Sequence, residues 1–96
     1  MSVELAPRAA ADLNQIAARS RDVFGAEVAA ELEIYIRGTF ARIAELPENA
    51  QPVGGRPGVR VVSLTRYPFR IFYRAGGGTI EILHIRHTAR QSWKGK

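Results

Sequence analysis

Ninety-six residues, 46 % hydrophobic and 24 % charged, make one small globular domain, neither disordered nor long enough to divide. The absence of cysteine excludes disulfides and thiolate metal sites, and two histidines, His84 and His87, with one carboxylate nearby do not make a convincing metal centre. The net charge of +5 is uneven: residues 1–50 hold five arginines against eight acids, whereas residues 51–96 hold seven arginines and two lysines against Glu81 alone, which aims the second half at phosphate or at an acidic protein.

No apolar run approaches the roughly 18–20 residues that span a bilayer. The N-terminus, MSVELAPRAAADLNQ, lacks the basic region and apolar block of a signal peptide. The expectation is a soluble, cytoplasmic protein. In chain order, Val3 to Leu5 is a short strand candidate, and Pro7 then suits the first turn of a helix. Ala10, Leu13, Ile16 and Ala17 follow helical spacing from Arg8 to about Asp22, with Asp12 near the favourable start and Arg19 and Arg21 near the end. Phe24-Gly25 breaks that pattern. A second helix carries Val28, Leu32, Tyr35, Ile36, Thr39, Phe40, Ile43 and Leu46 on one stripe and ends before Pro47.

Residues Pro47 to Gly58 read as a loop by their proline and glycine content. Three strands follow, Val59–Leu64, Phe69–Arg74 and Thr79–Arg86, joined by Tyr67-Pro68 and by Gly76-Gly77-Gly78 as hairpins. The order is β-α-α-β-β-β, an α+β domain with an antiparallel helical hairpin packed on one face of an antiparallel sheet. Period-two alternation then sorts the side chains. Because an unpaired arginine under the helices is costly, Arg60, Val62, Leu64, Arg70, Phe72, Arg74, Ile80, Ile82, His84 and Arg86 are expected outward. Val61, Ile71, Tyr73, Leu83 and Ile85 are expected beneath the helices. An outward patch mixing arginine with apolar groups is what a protein-binding surface looks like.

The chemistry of RNA cleavage needs a base, an acid and cations for the phosphorane charge. Cations are plentiful, and His87 stands at a strand end beside Arg90. His84, in mid-strand, reads as a packed residue, and Glu81 falls off the basic face by parity. A second proton-transfer partner is missing, which favours binding over catalysis. The triple glycine leads into a strand, not a helix, so it is a turn rather than a phosphate loop. No recognition-helix pattern for duplex DNA is present.

Three stretches together carry a family resemblance: VELAPRAAADLNQIAARSRDVFG, LPENAQPVGGRPGVRVVSL, and RYPFRIFYR followed by IEILHIRHTAR. In order and spacing they resemble the ParE branch of the RelE/ParE toxin superfamily over nearly the whole chain. The resemblance implies a helical hairpin on a curved sheet and a toxin of a type II toxin–antitoxin system that blocks DNA gyrase, without cofactor or metal. It also implies a cognate antitoxin whose acidic tail wraps the toxin. RelE-like relatives are ribosome-dependent mRNA endonucleases. By that alternative His87, Arg60, Arg70 and Arg90 would be the catalytic set, but those enzymes usually add strand lysines and a C-terminal tyrosine. Here Trp93 is the only aromatic near that end, which favours the gyrase reading. The partner-binding residues implied are Arg60, Arg70, Arg74, Arg86, His87, Arg90 and Trp93.

Overall fold

The computed structural model describes residues 1–88. Its elements are β1 (Ser2–Leu5), α1 (Pro7–Phe24), α2 (Ala26–Glu45), β2 (Gln51–Pro52), β3 (Val59–Ser63), β4 (Phe69–Gly76) and β5 (Thr79–His87). Pro7 occupies the first turn of α1, where its missing N–H is no loss. A single residue, Gly25, separates the helices: its N–H closes α1 on the Arg21 carbonyl at 3.0 Å, and its own carbonyl accepts the Ala29 N–H at 3.1 Å. Its φ of 97° and ψ of 167° lie in a region that essentially only glycine visits.

The five strands form one sheet in the order β1-β5-β4-β3-β2. β1 runs parallel to β5, and the other pairs are antiparallel. The expected element order holds, with one addition: the Pro47–Gly58 loop contains the two-residue strand β2, which pairs with Arg60 and Val61. The helical hairpin buries Leu13 of α1 and Leu32, Ile36, Phe40 and Ile43 of α2 against Leu64, Phe69, Ile71, Tyr73, Ile80, Ile82 and Ile85 of the sheet side. The α2 stripe is shorter than its sequence pattern, since Val28 and Leu46 remain 38 % and 61 % exposed at its ends.

The side-chain faces correct the alternation in two strands. β4 follows it, with Ile71 and Tyr73 wholly buried toward the helices. In β5 the pairing passes from Tyr73↔Ile82 to Phe72↔His84, so Leu83 is an extra residue at a bulge. Before the bulge Ile80 and Ile82 point inward and are 0 % exposed; after it Ile85 does. Glu81 accordingly lies outward, opposite Arg74. In β3 the register sets Arg60 beside Tyr73, Val62 beside Ile71 and Val61 beside Phe72. Arg60, Val62 and Leu64 therefore belong to the helix side and Val61 to the outward side, the reverse of the expectation.

Candidate functional site

The outward face is built of cross-strand rows, because residues paired across an antiparallel ladder project to the same side. One row is Ser63–Arg70–Arg86, the next Val61–Phe72–His84, and the next Val59–Arg74–Glu81. Arg70 and Arg86 are direct neighbours across the ladder, so two guanidinium groups share one row of the face. Phe72 is buried and stacks on His84, with ring centroids 5.7 Å apart and planes 21° apart. Arg74 is tied at 3.8 Å to Glu81, both side chains about half exposed. The face thus grades from a neutralised pair near the glycine turn, through an aromatic middle, to a doubly cationic end.

Arg60 does not join it. Its guanidinium donates to the carbonyls of Ala50 at 2.7 Å and Glu48 at 3.3 Å, holding the loop that follows α2. The Tyr73 hydroxyl donates to the Pro47 carbonyl of the same loop. Burial pushes the Tyr73 phenol up, and the nearby Arg60 charge offsets part of that rise. The penalty that argued against an inward arginine is removed by these carbonyl acceptors. They lie 10 and 12 residues away along the chain, and no local pattern announces them.

The two histidines part company. His87 pairs with Phe69 and sets its ring edge-on to that core aromatic, centroids 4.9 Å apart. His84 lies among the outward rows, and its Nδ1 is 2.8 Å from Oδ2 of Asp12 on α1. The same oxygen accepts the Ile85 backbone N–H at 3.0 Å. The reason is topological: β1 pairs with β5 only as far as Leu5↔Ile82, after which Asp12 takes the place of the missing strand. Sequence reasoning gave Asp12 only a helix-dipole role, and a partner 72 residues away leaves no sequence signal. Arg90 and Trp93 lie outside the described residues.

The structure brings together Arg70, Arg74 and Arg86 with His84 and Phe72, a surface suited to gripping anionic and aromatic groups. Among the described residues no group of three His, Cys, Asp or Glu is placed to hold a metal ion. No helix among them is long and apolar enough to cross a membrane.

A family model described as ParE toxin of type II toxin–antitoxin system, parDE, matches residues 3–92. Among solved structures, the chain is similar to a chromosomal ParDE toxin–antitoxin system of P. aeruginosa, with 31 % identity over 91 % of this chain and 95 % of that one and a TM-score of 0.80. A YoeB/ParE toxin from Agrobacterium tumefaciens has 17 % identity over 91 % of this chain and 98 % of that one, with a TM-score of 0.65. The intact E. coli RelBE toxin–antitoxin complex has 15 % identity over 90 % and 94 %, with a TM-score of 0.63. At those two identities the likeness speaks for the fold alone. No curated protein sequence matches the chain.

Proposed function

The chain belongs to the ParE toxin family of type II toxin–antitoxin systems, and from that premise we propose that it inhibits DNA gyrase by contact. The outward sheet face is the docking surface, with Arg70 and Arg86 as its charged end and Arg74 at its margin. The carrying observation is the row Ser63–Arg70–Arg86 lying beside Val61–Phe72–His84 on one rigid face. Arginine beside aromatic and aliphatic groups is the composition of interface hot spots. The position of His87 supports contact over RNA cleavage, since its ring leans on Phe69 and does not share the row of Arg70 and Arg86.

A cognate antitoxin neutralises the toxin. The P. aeruginosa relative is described as a ParDE toxin–antitoxin system, and the excess of positive charge in residues 51–96 is the complement of an acidic tail. Such a tail gains order only when it binds. Gyrase works on DNA, which puts the action in the cytoplasm. The test is supercoiling by purified gyrase with and without the protein. Inhibition with persistent DNA breaks, unchanged in His87→Ala, supports the proposal. Uninhibited gyrase together with ribosome-dependent mRNA cleavage that His87→Ala abolishes would replace it with the endonuclease reading.

A further inference from the structure

The contact between Asp12 and β5 does more than close a helix against a sheet. An ionised carboxylate oxygen only accepts hydrogen bonds. Oδ2 of Asp12 lies 3.0 Å from the Ile85 N–H donor and 2.8 Å from Nδ1 of His84. Nδ1 must therefore carry its proton, and in the neutral ring Nε2 is left as the acceptor. The two donors come from adjacent residues immediately after the bulge at Leu83. One oxygen thereby fixes both the backbone at the bulge and the ring that stacks on Phe72. With Asp12 and His84 side chains only 19 % and 21 % exposed, solvent competes weakly for either bond.

We infer that Asp12 is a positioning residue for the outward face: it selects the Nδ1–H form of His84, holds the Leu83 bulge, and so sets the Phe72–His84 stack beside which Arg70 and Arg86 are presented. Its consequence for gyrase rests on the docking role proposed above; the geometric part does not. Without the bulge the inward alternation of Ile82 and Ile85 cannot coexist with His84 and Arg86 facing out. Helix α1, which contributes nothing else to that face among the contacts described, thus governs its register through one carboxylate.

The experiment is nitrogen-15 NMR of the His84 ring and hydrogen exchange of the Ile85 amide in the full chain, for wild type, Asp12→Ala and Asp12→Asn, with gyrase inhibition measured alongside. Expected in wild type are an unprotonated Nε2 in the neutral ring and a slowly exchanging Ile85 amide. Asp12→Ala populates both tautomers, speeds Ile85 exchange at least about tenfold, and raises the protein needed for inhibition about tenfold, the effect of losing one or two sheltered charge-assisted bonds. Asp12→Asn keeps an acceptor oxygen and restores the tautomer and the slow exchange. A protonated Nε2 in neutral wild-type His84 overturns the inference, as does an Asp12→Ala protein with unchanged ring and amide. If Asp12→Ala does not fold, the wild-type tautomer and the Asp12→Asn protein decide. Gyrase indifferent to the wild-type protein, with the ring and amide behaving as expected, removes the docking role and leaves the positioning intact.

Discussion

Two side chains, Arg60 and Tyr73, reach from the helix side of the sheet to three successive parts of the loop after α2. Arg60→Ala is expected to cost about 1.5–3 kcal/mol, the range for hydrogen bonds made by a charged donor. Arg86→Ala, on the exposed outward end, is expected within about 0.5 kcal/mol of wild type. Urea denaturation of both proteins separates an arginine that fastens a loop from one that stands on the open surface. Tyr73 adds a pH signature. Its folded pKa is raised above the ordinary 10.0, so above about pH 10 the unfolded chain loses the proton first and stability falls. Tyr35 works in the other direction, because its hydrogen bond with the Thr65 hydroxyl lowers its pKa and the folded state releases that proton first. Stability measured from neutral to about pH 10.5 should therefore decline less steeply in Tyr73→Phe, and more steeply in Tyr35→Phe, than in wild type. At neutral pH the Tyr73→Phe protein should be about 1 kcal/mol less stable, having lost one buried hydrogen bond.

At the scale of elements, the helices, the three main strands and both hairpin connections were legible because each rests on a local signal. Pro7, Gly25 and Pro47 punctuate the helices, and Gly77 and Gly78 take the positive φ values, 59° and 80°, that a tight strand turn requires. What escaped was non-local. β2 is two residues with a proline, and it is a strand only because β3 lies beside it. The bulge at Leu83 leaves no mark in an apolar run that reads equally well in either parity, so Ile80 and Ile82 were expected on the wrong side. The outward placement of Arg70, Phe72, Arg74, His84 and Arg86 was legible; the inward turn of Arg60 was not, since its acceptors are loop carbonyls. Ile82→Ala tests the bulge directly: an inward, wholly buried isoleucine should cost about 2–5 kcal/mol by denaturation, whereas an outward one would cost far less. Gly25→Ala tests the helix junction. No atom outside its chain neighbours lies within 4 Å of the added methyl, so the expected loss of about 1–3 kcal/mol in thermal unfolding is backbone strain alone.

Taken as a whole, the molecule separates its jobs by charge. Residues 1–50 carry a net −3, while residues 51–96 carry +8, and the outward face is made entirely by strands of the second part. Such a surface speeds encounter with an acidic partner through its long-range field, an effect that salt weakens within about a Debye length. Arg74 and Glu81 face each other across the ladder and cancel in net charge, so removing both, Arg74→Ala with Glu81→Ala, leaves the net field unchanged and should change gyrase inhibition less than about threefold, consistent with the small worth of exposed pairs. Arg70 and Arg86 share one cross-strand position. Reversing both, Arg70→Glu with Arg86→Glu, replaces two positive charges by two negative ones where they reinforce each other. Inhibition should weaken more than about tenfold at low salt, and raising the salt should narrow the gap between variant and wild type, because only the wild type has attraction to lose. Titrating the protein into a supercoiling assay at two ionic strengths, with the double variant first shown to melt as wild type does, measures this. A deficit that stays constant with salt would mean the arginines act through short-range packing, and a variant as potent as wild type would take the docking surface off this face.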